Sequence, residues 1–301
     1  MTSGLLLTLS FPNTQLYFLS FIALVPWIIS FDSLTPKQAA VSGFTFGMIH
    51  FVSLIYWIVP TVHIYGSIHI ILAAATLILL CFYLSLYPAV FAWIMKKTSC
   101  RDMTAPFLSA ALWCGLEFLR AHAFTGFAWG ALGYSQFSNL LLIQIADFSG
   151  VLGVSFLIVF VNYSLALAWF VGKHQLPRNR LICLIFSAVF ISSACFYGYL
   201  RIQAINRQID TAPKPGIALI QGNIRQDVKW SNEFKNRTVE KYIRLSESVS
   251  GKKPQLVIWP ETALPFYYGF DEKLSGRVDK SVRKTRTNYL IGSPAFERGN
   301  S

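Results

Sequence analysis

Charge is so unevenly spread along this chain that its first two hundred residues have few ways to fold in water. Of 40 charged residues, 12 lie in residues 1–200 and 28 in residues 201–301. Soluble domains carry about a quarter charged residues, so the first segment calls for a membrane and the second does not. The chain divides near Arg201 into two domains. A helix needs about 20 mostly apolar residues to cross the hydrocarbon core. Residues 16–31, 38–59, 68–95, 103–119, 140–171 and 181–200 meet or approach that length. Residues 4–11 are apolar but reach only half a span, and Pro12 and Asn13 then break the run. That run lacks the basic leader and small-residue cleavage site of a secretory signal. It reads as the end of a first helix. The expectation is a polytopic α-helical membrane domain over residues 1–200, with about six full spans plus a partial first helix.

Orientation follows from where lysine and arginine gather in short loops. Lys96, Lys97 and Arg101 follow one apolar stretch, and Lys173, Arg178 and Arg180 follow another. The intervening residues 60–67 hold none, and residues 120–139 hold only Arg120. The loops alternate between rich and poor. Residues 201–301 then fall on the side opposite the basic loops, outside the cytoplasm. A domain of that size can cross regardless of its own charge.

Residues 201–301 carry a net charge of +8, which suits anionic lipid head groups beside the membrane or simply a solvated basic surface. Nucleic acid is not an expected partner. All five cysteines, at 81, 100, 114, 183 and 195, lie in the apolar part. Their spacings match no zinc or redox pattern, so neither metal nor cofactor is expected. The second domain therefore has no thiol of its own.

Alternation in that domain is between strand and helix. Residues 216–221, 255–259 and 289–292 are short apolar strand candidates. Residues 231–249 are helical, with Phe234, Tyr242, Leu245 and Val249 on one face, and residues 271–287 form a basic helix. This order indicates an α/β layer. Three strands leave much apolar face uncovered, so the layer is expected to be incomplete at Ser301.

Two ionisable clusters stand out. Glu117 and Arg120 are three apart on one helix face, a spacing that permits an ion pair. Such a pair either fixes helix packing or does chemistry. The connection that follows, Thr125-Gly-Phe-Ala-Trp129 to Tyr134, is suited to the membrane interface. In the second domain, Leu256-Val-Ile-Trp-Pro-Glu261 is a strand stopped by Pro260, which has no backbone donor. Glu261 is projected from the carboxyl end, where open α/β sheets place their sites. Held between apolar neighbours, its carboxyl pKa would rise and suit a general base. A strand-end cap or a surface charge is the alternative.

Val257-Ile-Trp-Pro-Glu261-Thr-Ala resembles the glutamate motif of the nitrilase (carbon–nitrogen hydrolase) superfamily in the form used by apolipoprotein N-acyltransferases. Ile217-Ala-Leu-Ile-Gln-Gly-Asn223, with Lys229-Trp230, resembles the opening strand and loop of that domain. Gly43-Phe-Thr-Phe-Gly47, Glu117-Phe-Leu-Arg120, Gly133-Tyr-Ser-Gln136 and Gln144-Ile-Ala-Asp147 resemble the family's membrane helices. The similarity runs in order from about Ser10 to Gly292. It implies a nitrilase-like α/β/β/α sandwich outside the bacterial inner membrane, incomplete in this chain. It also implies a glutamate–lysine–cysteine triad, with Glu261 as general base. The thiolate takes an acyl chain from a phospholipid and passes it to the amino-terminal diacylglyceryl-cysteine of an apolipoprotein. Trp230 matches a tryptophan in a substrate-binding loop, or is a packed strand-end aromatic. The family's lysine and cysteine lie downstream of its glutamate. Lys273, Lys280 and Lys284 come too early to match that lysine, and no cysteine follows Cys195. The chain is thus expected to be part of an acyltransferase that lacks the nucleophile, or a non-catalytic membrane protein that binds phospholipid or lipoprotein. A transporter is disfavoured, because Asp147 is the one acid that stands out within a full span.

The side assignment is open to direct measurement. With the native cysteines replaced and one cysteine placed at Ser248, an impermeant thiol reagent should label intact spheroplasts. Labelling only after the inner membrane is opened would reverse the orientation.

Overall fold

The computed structural model describes residues 2–12, 14–169, 178–224 and 232–295. They form two compact units, Met1–Asp210 and Thr211–Ser301. The first is helical throughout: α1 (Thr2–Leu9), α2 (Ser20–Ala23), α3 (Val25–Ser30), α4 (Pro36–Leu54), α5 (Ile58–Tyr65), α6 (Ile70–Thr98), α7 (Ala105–His122), α8 (Ala146–Trp169) and α9 (Arg178–Thr211). Among the described residues, three helical runs are long and apolar enough to cross a membrane: Ile70–Thr98, Leu142–Trp169 and Arg178–Thr211. Buried positions make up 67% of the apolar window in the second of these, but only 28% and 22% in the first and third. The run containing α8 is therefore the packed centre. On the other two, side chains such as Ile71, Leu79 and Phe196 face outward, an arrangement that lipid tolerates and water does not.

The remaining apolar stretches are bent, interrupted or too polar in their last turns to count as single spans, each for a local reason. Residues 38–59 become α4 and α5, bent by 52°. Pro60 has no N–H to give the carbonyl of Tyr56, which accepts instead from Val59 N at 3.1 Å. Residues 16–31 become a short 3-10 turn followed by α2 and α3. There the Asn162 side chain of α8 takes over one helical bond. Leu24 N donates to Asn162 Oδ1 at 2.9 Å, and Asn162 Nδ2 donates to Ser20 O at 2.7 Å. Residues 103–119 become α7, whose last turns carry Glu117 and Arg120. At the other end of α4, Thr35 and Gln38 form a reciprocal cap with Pro36 at the first helical position.

Helices α4 and α6 approach closely through glycine. A Cβ on Gly43 would overlap the carbonyl oxygen of Pro88, and one on Gly47 would lie 2.8 Å from Ser85 Cα. Small residues four apart allow this contact where no water is available to drive association. The core beside them is aromatic, with Trp27 stacked on Phe46 at 4.4 Å.

The second unit is a three-stranded parallel sheet of β1 (Ile217–Leu219), β2 (Leu256–Ile258) and β3 (Asn288–Leu290), in that spatial order. Ala218 pairs with Val257, and Val257 with Tyr289. Helix α10 (Asn232–Ser248) links the first two strands and α11 (Glu272–Thr285) the last two. The inward face of α10 centres on Val239, Tyr242 and Ser246, spaced for a helix. Leu245 and Val249, expected on that face, are half-buried and pack against the same core, and Phe234 is half-buried. Asp271 caps α11 by accepting from Leu274 N at 3.0 Å.

Glycine contacts give a clean test of the α4–α6 packing. Gly43→Ala should destabilise the detergent-solubilised chain by about 1–3 kcal/mol through overpacking, lowering its melting temperature. Gly115→Ala, on α7 with no atom within 4 Å of the added carbon, should leave it unchanged or slightly raised.

Candidate active site

Glu261 lies two residues beyond Trp259, just past the carboxyl end of β2. Trp259 N still donates to Leu290 O at 2.9 Å. Pro260 ends the ladder, and Glu261 and Thr262 turn the chain, with Thr262 at φ 53°. The four residues that follow, Ala263 to Phe266, are buried. The turn is held against the segment after β3. Leu264 N donates to Gly292 O at 3.1 Å, and Ser293 Oγ donates to Phe266 O at 3.0 Å while accepting from Tyr268 N at 3.1 Å. Gly292 is required at this contact. A Cβ there would stand 2.6 Å from Pro260 O and 2.8 Å from Glu261 Cα.

Beneath the turn, Trp259 is 3% exposed and donates through Nε1 to Ser246 Oγ at 2.8 Å. Its ring stacks on Tyr242 at 5.1 Å. Burial raises the pKa of the Tyr242 phenol, while a hydrogen bond from the Gly222 backbone acts the other way. Gly222 follows β1 and has room for no side chain, because Tyr242 lies where its Cβ would be. A chain of contacts therefore joins the loop after β1, helix α10 and the end of β2.

One expectation fails here. The Glu261 side chain is exposed rather than enclosed by apolar neighbours. Of the lysines on α11, Lys284 is engaged elsewhere, 2.6 Å from Glu247 of α10. Trp230 lies outside the described residues.

In the first unit Glu117 and Arg120 are 7% and 4% exposed. Among the described residues they form no ion pair with each other. Glu117 Oε1 instead accepts from Trp113 Nε1 at 2.9 Å and from Leu132 N at 2.7 Å, tying the following connection back onto α7. The Arg120 guanidinium lies 5.3 Å from the centre of the Phe51 ring. Asp147 is matched by Arg201 at 3.0 Å and Tyr197 Oη at 2.7 Å. Sequence reasoning missed an apolar groove of about 560 Å³ lined by Phe11, Leu54, Trp57, Trp129, Tyr134 and Phe137. Its signal was the aromatic content of the 124–137 connection.

Residues 3–164 match the model of the apolipoprotein N-acyltransferase N-terminal domain. The chain belongs to the apolipoprotein N-acyltransferase family. It is 36% identical over 306 residues to the apolipoprotein N-acyltransferase of Geobacter metallireducens, a match covering 98% of this chain and 56% of that one. The relative from Methylococcus capsulatus is 29% identical over 304 residues, covering 100% and 58%. That from Nitrosomonas europaea is 34% identical over 237 residues, covering 78% and 45%. The chain thus spans about half the length of the apolipoprotein N-acyltransferases that it matches.

The Gly292 contact predicts how the glutamate turn responds to a single methyl group. Gly292→Ala should speed amide exchange across residues 259–266 in hydrogen–deuterium mass spectrometry of the full chain. Gly251→Ala, with open space around the added carbon, should not. Unchanged exchange in the first variant would separate the turn from Gly292.

Proposed function

We propose that this chain supplies the membrane part and the leading part of a nitrilase-like domain in an enzyme that N-acylates apolipoproteins. The position of Glu261 beyond the carboxyl end of a parallel strand, in a chain of this family, carries the reading. The acyl donor is a phospholipid and the acceptor is the α-amino group of a diacylglyceryl-cysteine at a lipoprotein's amino terminus. The enzyme sits in the bacterial inner membrane, with residues 201–301 on the periplasmic side.

In the first half-reaction Glu261 takes the proton of a cysteine thiol. The thiolate attacks the ester carbonyl, a C–S bond forms, and the C–O bond breaks as the lysophospholipid leaves with a proton. A lysine stabilises the tetrahedral oxyanion. In the second, the amine attacks the thioester, gives its proton to Glu261, and the C–S bond breaks as the amide forms. Neither thiol nor matching lysine lies among residues 202–301, so this segment contributes the base. Exposure of the Glu261 side chain leaves it accessible to partner groups from elsewhere. The apolar groove in the first unit is of a kind that accepts acyl chains.

A second reading is a non-catalytic membrane protein that binds phospholipid or lipoprotein. It is favoured by the aromatic groove of the first unit, which suits an acyl chain with or without chemistry. The two separate in one experiment. Residues 1–301 are joined to the part of the Geobacter metallireducens relative that follows the match, and acyl-thioester formation is measured per folded molecule. The fusion should form the thioester, and the 301-residue chain alone should not. In the fusion, Glu261→Gln should slow formation by about 10²–10⁴-fold, with Glu240→Gln, on an exposed side chain, close to the parent. Equal rates for the two variants would exclude Glu261 as the base.

A further inference from the structure

The first unit holds a cavity of about 30 Å³ lined by Glu117, Arg120, His50 and apolar side chains that include Leu7, Phe51 and Leu132. Glu117 Oε2 and Arg120 Nε are buried, and among the described residues neither has a hydrogen-bond partner. Both belong to residues more than nine-tenths buried. One is an acceptor and the other a donor, so a single small molecule that both donates and accepts would satisfy the two together. The formal charges of carboxylate and guanidinium cancel, which disfavours an added ion in apolar walls. A volume of on the order of 10–15 Å³ admits one water, and this cavity exceeds that without approaching the size of a lipid head group.

We infer that a structural water bridges Glu117 Oε2 and Arg120 Nε inside the membrane unit. Glu117 Oε1 already holds Trp113 on α7 and the Leu132 amide of the connection. Through the water, the same carboxylate is joined to Arg120 one turn on, although the two form no direct ion pair. The spacing of three along α7 is thus used as a water-mediated pair. The His50 ring is held from the far side by the Thr8 hydroxyl, 2.9 Å from its Nδ1. The water therefore fixes where the connection leaves α7, and with it Gly130, which lines both this cavity and the aromatic groove.

Radiolytic hydroxyl-radical footprinting of the full 301-residue chain in detergent tests this, because X-rays split a bound water in place and oxidise the side chains beside it. Phe51 and Leu132 are 4% and 1% exposed, and Ile158 and Phe160 are each 0% exposed in the core away from the cavity. Phe51 and Leu132 should be modified at several times the rate of Ile158 and Phe160. Arg120→Met removes the donor while keeping much of the side chain's length and should lose that excess. Equal modification of the two buried pairs in the native chain would overturn the inference, whether or not the variant folds. An excess that persists in a folded Arg120→Met chain would also overturn it.

Discussion

Inside an apolar unit a polar group is matched from within or is not tolerated, and the Asn162 side chain shows how far that constraint reaches. It replaces the helical bond between Ser20 and Leu24 with two of its own and donates besides to Ile158 O at 2.9 Å. A neutral amide so placed welds the central helix α8 to a helix some 140 residues earlier, at the cost of breaking that helix. Gln136 repeats the device, donating to Ser20 Oγ at 2.7 Å and Tyr17 O at 2.9 Å. The early segment, the connection after α7 and α8 are consequently one hydrogen-bonded body. Breaking one buried partner leaves another unsatisfied, which costs more than the bond itself contributes.

The second unit meets a different constraint, since its candidate site stands on a turn rather than in a core. A strand ends, a proline forbids its continuation, and a glutamate is left outside. What makes the turn reproducible is the apolar layer beneath it: Trp259 on Tyr242, with Trp259 also hydrogen-bonded to Ser246. Gly292 lets the chain after β3 pass close to the turn. Rigid support under an exposed group is the arrangement expected where a side chain must meet a partner from elsewhere.

Much of this was legible in the sequence, and the limits have physical causes. Each strand of the second unit falls within two residues of its apolar run, because local alternation and turn residues set it. The apolar stretches of the first unit were legible as stretches. Whether each runs as one helix was not, since the Asn162 contact joins residues far apart in sequence. The spacing of Glu117 and Arg120 placed both on one face, yet Oε1 of Glu117 is engaged by the Leu132 amide, fifteen residues away, and its Oε2 makes no direct bond to Arg120. For Glu261 the strand end was readable from Pro260. Its exposure and its dependence on Gly292 were not, because β3 pairing brings that glycine to it.

The strand order of the second unit also bears on how it is made. In a β1-β2-β3 parallel sheet each new strand joins the edge left by the one before, after its connecting helix has been synthesised. Among the three described strands, none waits for one made much later or inserts between two already paired. A nascent chain can therefore lay down this sheet in the order in which it emerges, each addition covering the edge that would otherwise invite aggregation. The turn bearing Glu261 exists as soon as β2 is finished, but its Gly292 clamp closes only when the residues beyond β3 arrive.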